Sequence, residues 1–500
     1  MKRKILALSA SVLLIAVVWQ VMSLCISSSL ILPNIQSVFL AFIKCLGSRQ
    51  FYASLAATFL RCLTAFSLAV IVGAVLGFTS GASSFFKTFI FIPLWIIRAT
   101  PVVSLILISL FWLKAKQIPS FVAFLMALPV MTGATQKGVS TTPKELLEAA
   151  DSYSLGRRQK IRFVYIPNIR PFFLEGLSAS YGLVWKAVAA GEVLALPKQG
   201  LGTLLNTYQV HLETSYVMAV TAAIIIAGFL SEGIFTLTVT LLKKHICKNR
   251  INHWHFAKEN KNFSTDASLC IRELSFSYEE RHIIKNFTLE AKEKTTTAIM
   301  AKTGSGKTTL LNAIAKKLKQ DGRAVSYVFQ EPRLFPQLTV FENICLPLCN
   351  VMTKKTAFKT AEDIIEKTNL VSYKEKLPSE LSGGEKQRVS LARAFAYPAS
   401  ILLMDEAFKS QDIEQEVKLL CLLEKLLCKK NRTVLFVTHN AREACVCADT
   451  ILVMKGPPLE VQKEINMPAL QTQTKQRYIS PSKSSALYEN EIYRLLMNEN

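Results

Sequence analysis

The run Ala301-Lys302-Thr303-Gly304-Ser305-Gly306-Lys307-Thr308-Thr309 sets two glycines, a lysine and hydroxyl side chains in an order suited to phosphate. Backbone N–H groups of such a loop, together with the N-terminus of a following helix, cradle phosphate oxygens. Lys307 would pair with the β- and γ-phosphates of a nucleotide, and the Thr308 hydroxyl with Mg2+. Thr303, Gly304, Ser305, Gly306 and Thr309 complete the expected nucleotide contacts. Ala301 stands where the usual pattern has glycine, which requires a negative φ there or mild strain. Farther along, Ile401-Leu402-Leu403-Met404-Asp405-Glu406 ends an apolar run in two carboxylates. Asp405 suits a water-mediated Mg2+ ligand, and Glu406 a base that polarises an attacking water. Read alone, the acid pair could equally cap the next helix.

These residues need positioning elements. Leu269–Phe276, Thr296–Met300 and the run beginning at Ile401 read as strands, the last of them buried and parallel. A helical pattern follows the glycine loop, giving strand, loop, helix. Residues 251–267 are polar and irregular and read as a linker.

The other half of the chain is different. Of the 500 residues, 50% are hydrophobic and 19% charged, with a mean hydropathy of +0.29. That excludes a disordered chain and argues against a purely soluble one. The net charge is +23, and residues 1–250 carry +16 of it, with no acid before Glu145. The basic residues flank apolar runs instead of lining a polar face, so no nucleic-acid partner is expected. Apolar runs of about 20 residues read as membrane spans. Six are expected: Ile5–Leu24 (as an uncleaved first span), Ser54–Ser80, Phe85–Leu113, Ile118–Thr135, Phe172–Leu196 and Ser215–Leu242. Pro93, Arg98 and Pro101 interrupt the third. Lys and Arg are concentrated in the segments that would face inward if the N-terminus is inside, including Lys137, Lys144, Arg157, Arg158, Lys160 and Arg162. The positive-inside rule then puts everything after residue 250 in the cytoplasm. Arg61, Lys186 and Glu192 lie within apolar runs, as a lined pathway or as structural contacts. Eleven scattered cysteines form no CxxC pair, and His245, Cys247, His253 and His255 lack zinc-ligand spacing.

Between the phosphate loop and the carboxylates lies Leu381-Ser382-Gly383-Gly384-Glu385-Lys386-Gln387-Arg388. With the loop, this run resembles the ABC-transporter ATPase family. The resemblance implies ATP and Mg2+ as cofactors, Gln330 as the Q-loop glutamine that also reaches the metal, and His439 as the switch histidine. It further implies Asp412 as the D-loop aspartate and Tyr278 as an adenine-stacking aromatic. It makes Glu406 the catalytic base, with Thr308, Gln330 and Asp405 around Mg2+. Ser382, Gly383 and Gly384 would meet the nucleotide of a second ATPase domain. Ala407 and Gln411 depart from the residues common in the family. In the apolar half, Glu148-Ala149-Ala150, then Gly156, then Ile166-Pro167 resembles the coupling loop of ABC importer permeases, although five residues separate Ala150 from Gly156. In the family that loop docks into a groove near the Q-loop, where Leu334, Phe335 and Pro336 lie. Trp185–Gly202 resembles the nitrate/sulfonate/taurine-type permease branch.

The expected architecture is an α-helical type I importer-like membrane domain (1–250), a linker (251–267), an α/β P-loop ABC ATPase domain (268–460) and a loose polar tail (461–500) with a helix near Ala486–Met497. The expected function is ATP-driven import of a small-molecule substrate across a prokaryotic cytoplasmic (inner) membrane, with the N-terminus and ATPase cytoplasmic. One chain supplies one permease and one ATPase, so a second copy as a homodimer, or a close relative, is required. An extracytoplasmic substrate-binding protein and the lipid bilayer are the other partners. The alternatives are an ATP-driven exporter half-transporter and a membrane-tethered ATPase without transport.

Overall fold

Four short sequences in the C-terminal half bury every residue: Thr296–Met300, Val325–Val328, Ile401–Asp405 and Thr433–Thr438. Such continuous burial is the mark of strands covered on both faces. In the computed structural model they form the centre of one sheet. The structure describes residues 2–26, 28–246, 254–261, 267–278, 281–408, 413–427, 432–467 and 483–497. These fall into two compact units: Met1–Thr142 with Tyr165–Lys248, and Pro143–Val164 with Asn249–Asn500.

In the second unit, β1 (Leu269–Tyr278) and β2 (Arg281–Ala291) make an antiparallel ribbon. The main sheet contains β3 (Thr296–Met300), β4 (Val325–Val328), β5 (Ile401–Asp405), β6 (Thr433–Thr438), β7 (Thr450–Lys455) and β8 (Glu460–Asn466), in spatial order β4-β5-β6-β3-β7-β8. All neighbours are parallel except β8, which pairs antiparallel with β7. The carboxyl ends of β5, β6 and β3 therefore lie side by side, the location where open α/β sheets bind ligands. Helix Lys307–Gln320 leaves the loop after β3, its apolar face (Leu310, Leu311, Ile314, Leu318) buried. Helix Gly383–Ala396 begins at the Ser382 cap.

The tail differs from the loose segment expected. Strand β8 extends through Asn466, and helix Lys483–Met497 packs on helix Ala441–Cys447 and on β7, with Ile492 fully buried. The helix itself falls where it was expected, near Ala486–Met497; its docking is what the polar flanks of Gln, Lys and Ser conceal. Part of the expected linker is anchored. Trp254 is buried, and the N–H groups of Ala257 and Lys261 donate to the carbonyls of Cys349 and Val351, 2.8 Å each. An irregular sequence has nonetheless found backbone partners.

The first unit is helical. Helix Arg49–Ala82 packs along helix Ile118–Ser140 through Gly73, Gly77 and Gly81. A Cβ at each would come within 2.6 Å of Met131, Thr135 or Val139. Small residues four apart permit this approach, the usual way apolar helices associate. Arg49–Ala82, Ile118–Ser140 and Thr214–Thr238 are each long and apolar enough to cross a membrane. Ser84–Ala99 and Val102–Ser109 meet at a 97° bend and count as a fourth only if they form one broken span. The break falls at Thr100-Pro101, where proline cannot continue the hydrogen-bond ladder. The expected first and fifth spans are helices too, Lys2–Ile26 and Ile166–Ala195. The latter carries Arg170, Glu175, Lys186 and Glu192.

Arg61 and Glu192 pair directly. Thr58 Oγ1 donates to the same carboxylate at 2.9 Å, and Gly202 N–H at 3.0 Å. Glu192 is fully buried, whereas Lys186 is exposed. Of the two expected readings, Arg61 and Glu192 fit the structural contact and Lys186 lies apart from them; Glu192 holds together helices Arg49–Ala82, Ile166–Ala195 and Leu201–Val210.

Candidate functional site

The phosphate loop leaves β3 at Ala301, which is buried and outside the left-handed region, so alanine is accommodated there without strain. Gly304 and Gly306 have φ of 81° and 102°, conformations that favour glycine. At Gly306 a Cβ would also lie 2.4 Å from the Ile283 side chain. The Lys307 ammonium donates to the carbonyls of Ala301 and Lys302 at 2.8 and 2.9 Å, spanning the loop from below. Burial lowers the Lys307 pKa, opposed by Glu406 and Asp405. Thr303 and Thr308 are exposed, and Thr309 is half-buried. Ser305 Oγ is buried without a partner among the described residues. An orphaned hydroxyl in a glycine loop that opens a helix fits a phosphate-bearing ligand, since such a group is otherwise costly to bury.

At the end of β5, Asp405 is 4% exposed. Burial raises its pKa, and a hydrogen bond from Thr308 opposes the rise. This carboxylate–hydroxyl pair is a donor set suited to a hard divalent cation. Glu406 follows in the left-handed region at φ 40°, and its N–H donates to Val437 O at 2.9 Å. A non-glycine residue held there costs of order 1–3 kcal/mol, and such strain concentrates at functional positions. The turn aims its carboxylate at two side chains. Gln330 Nε2 donates to Oε2 at 3.1 Å, and His439 Nδ1 lies 3.2 Å from Oε1. Glu406 is 14% exposed and His439 49%, so water reaches the cluster. Loops after β4, β5 and β6 thus bring Gln330, Glu406 and His439 together.

Ser382 caps helix Gly383–Ala396 in a reciprocal box: its N–H donates to Glu385 Oε2 at 2.7 Å, and Glu385 N–H to Ser382 Oγ at 3.4 Å. A hydrogen bond from Tyr373 holds the Glu385 carboxyl below its usual range. Gly383 has open space around it; Gly384 lies in the same first turn. Tyr278 ends β1 and pairs with Arg281, but its side chain lies outside the described residues, as does Asp412.

Helix Lys144–Ser152 belongs to the same unit. Glu148 pairs with Arg333 at 2.7 Å, and Arg333 lies over the Phe329 ring at 4.0 Å. Ala149 and Ala150 are fully buried, in separate apolar clusters, and Leu334 and Phe335 share the one containing Ala150. Pro336 is exposed. Gly156 starts the next turn, its N–H donating to Gln159 Oε1 at 2.9 Å. Sequence reasoning missed the deepest member. Tyr153 is fully buried, and its hydroxyl donates to Tyr327 O at 3.0 Å. Arg393 lies over the Tyr153 ring and donates to the carbonyls of Pro332 and Arg333 at 3.0 Å each. The Lys144–Ser152 helix, the loop after Gln330 and the helix after Ser382 therefore share one buried node. The partners are more than 170 residues apart in sequence, so no local signal could reveal it.

Residues 284–409 match the ABC transporter family, and residues 69–244 match the binding-protein-dependent transport system inner membrane component. The chain is 35% identical over 40% of its length to 84% of aliphatic sulfonates import ATP-binding protein SsuB 2 of Rhodococcus jostii. It is 32% identical over 46% of its length to 96% of the SsuB protein of Zymomonas mobilis. A solved dimeric ATP-binding cassette bound to ADP and Pi is 28% identical, covering 40% of this chain and 99% of its own, with a TM-score of 0.36. The chain belongs to the ABC transporter family. It is a membrane protein that joins the permease and ATP-binding parts of an ATP-driven importer in one polypeptide.

Proposed function

We propose that this chain imports a small sulfonate-like anion across a prokaryotic cytoplasmic membrane, with an extracytoplasmic binding protein delivering the solute. The solute class follows the sulfonate-import relatives and the resemblance of Trp185–Gly202. Residues 1–250 act as the permease, 251–267 as the linker and 268–460 as the ATPase. The N-terminus and ATPase face the cytoplasm, as the basic loops favour. Two copies form the working assembly, each presenting Ser382, Gly383 and Gly384 to nucleotide held by the other.

The Glu406 cluster is the observation that carries the reading. Gly304, Ser305, Gly306 and Thr309 bind the phosphates through backbone N–H groups, and Lys307 turns to the β- and γ-oxygens. Tyr278 stacks on the adenine and Asp412 orders the loop toward the second copy. Glu406 accepts the proton of the attacking water, Gln330 orients the carboxylate, and His439 steadies the developing charge. Thr308, Asp405 and Gln330 are the residues that would hold Mg2+, which supplies charge neutralisation on the phosphate oxygens when bound. Glu148, Ala149, Ala150 and Gly156 carry motion of the Gln330 loop to the permease. The buried Tyr153 hydroxyl bond supports that path.

The test is Ala149→Glu in proteoliposomes with the binding protein and taurine as solute. A buried, unpaired charge cannot be accommodated where Ala149 sits. ATP binding should persist while taurine uptake falls at least tenfold, about 1.4 kcal/mol of coupling. Uptake at the wild-type rate would overturn the coupling role. The absence of ATP-dependent taurine uptake by the wild-type chain would overturn the solute class.

A further inference from the structure

A second feature of the ATPase-containing unit is not used by ATP hydrolysis. Between the Gly156–Phe163 segment and the strap Trp254–Lys261 lies a cleft of about 1060 Å3. Its rim carries Arg157, Arg158, Arg162, Lys258 and Lys261 against a single acid, Glu259. Phe163, Trp254 and Phe256 also line it, and the Phe163 and Trp254 rings meet edge to face at 4.9 Å. Trp254 is 7% exposed, and its indole N–H is buried with no acceptor among the described residues.

The walls are fixed. Backbone bonds from Ala257 and Lys261 tie the strap to Cys349 and Val351, and Asn260 Oδ1 accepts from Thr353 N–H at 2.9 Å. Gln159 and Asn350 exchange two side-chain amide bonds of 2.7 and 2.8 Å on the opposite side. Basic residues that served only to mark the cytoplasmic side would need neither an aromatic floor nor a pinned strap.

We propose that this cleft is a binding site for a small oxyanion, a phosphate monoester or a sulfonate with an aromatic or apolar body. Arg157 and Arg158 present planar forks that match tetrahedral oxyanions, Lys258 and Lys261 add point charges, and the rings receive the body. A ligand oxygen would supply the acceptor that the Trp254 N–H lacks. Occupancy would tie the Gly156–Phe163 segment to the strap, giving the cell a chemical handle on the segment assigned to coupling. A soluble ester and an anionic lipid headgroup share this chemistry.

The test uses the full chain in detergent, with a non-hydrolysable ATP analogue saturating the Lys302–Thr309 loop, and phenyl phosphate titrated by calorimetry. One saturable event is expected, weakened at least ~10-fold in Arg157→Gln/Arg158→Gln and about threefold in Trp254→Phe. Glu259→Gln should tighten it, a gain that misfolding cannot mimic. Nanodiscs separate the sources. A loss of phenyl phosphate affinity with phosphatidylglycerol but not phosphatidylcholine identifies a lipid headgroup as occupant, and equal affinity in both identifies a soluble ester. Absence of saturable binding, or binding unchanged in all three variants, overturns the proposal. Because the readout is binding with the ATP site filled, failure of import leaves this test intact.

Discussion

Glu192 and Glu406 are both shielded carboxylates that the sequence marks as candidates for function, yet their surroundings differ in kind. Glu192 sits in the helical unit with no exposure, and Arg61, Thr58 and the Gly202 N–H all converge on it. Gly200 and Gly202 press so closely that a Cβ on either would come within 2.6 Å of its side chain. Glu406 sits at a strand end on a strained turn, 14% exposed, beside the Gln330 amide and the His439 imidazole. A saturated carboxylate is a structural tie. One with water access beside groups that can change partners is equipped for chemistry.

The comparison breaks first at Glu192. Glu192→Ala leaves Arg61, only 11% exposed, without its carboxylate, which should cost up to about 3–5 kcal/mol. Arg61→Met with Glu192→Met should recover most of that, as apolar replacement of a buried pair often does. Thermal unfolding in detergent reads both, and equal destabilisation by the single and double variants would refute the tie.

A smaller effect lies at Glu443, close to the proposed switch histidine. It is 5% exposed and hydrogen-bonded with Thr438, and burial pushes its pKa up to about 8. The folded state therefore holds the proton more tightly than the unfolded chain. Its contribution to stability is full below the ordinary carboxylate value and is lost as pH rises through about 8. Glu443→Gln should flatten the fall in stability of the ATPase-containing unit between about pH 6 and about pH 9. Denaturant midpoints at the two pH values measure it, and an unchanged slope would place the proton elsewhere.

The phosphate loop, the strand ending in Asp405 and the capped helix at Ser382 were legible in the sequence because each is a local pattern with its glycines, hydroxyls or acids in a short run. The contacts that complete the account are not local. Thr58, Arg61 and Gly202 meet Glu192 across as many as 134 residues, and Tyr153 reaches Tyr327 across 174. No periodicity encodes such pairs, which only folding brings together. The burial of the strap at Trp254 and the packing of the helix Lys483–Met497 were hidden differently. Each holds a few apolar anchors within polar residues, and burial follows the anchors while composition follows the rest. The apolar runs located the long helices of the first unit, and the prolines marked the third run as interrupted, but the 97° angle of the bend and the short helices Ile35–Leu46 and Leu201–Val210 carry no such signal.

The most direct measurement is the steady-state ATPase rate of Glu406→Gln beside its ATP affinity. Gln preserves the shape of the side chain and removes its charge and its capacity to take a proton. Loss of a positioned base should lower kcat by about 10²–10⁴ while ATP binding stays near wild type. Hydrolysis within a few-fold of wild type would contradict the assignment of Glu406 and, with it, the site proposed to power import.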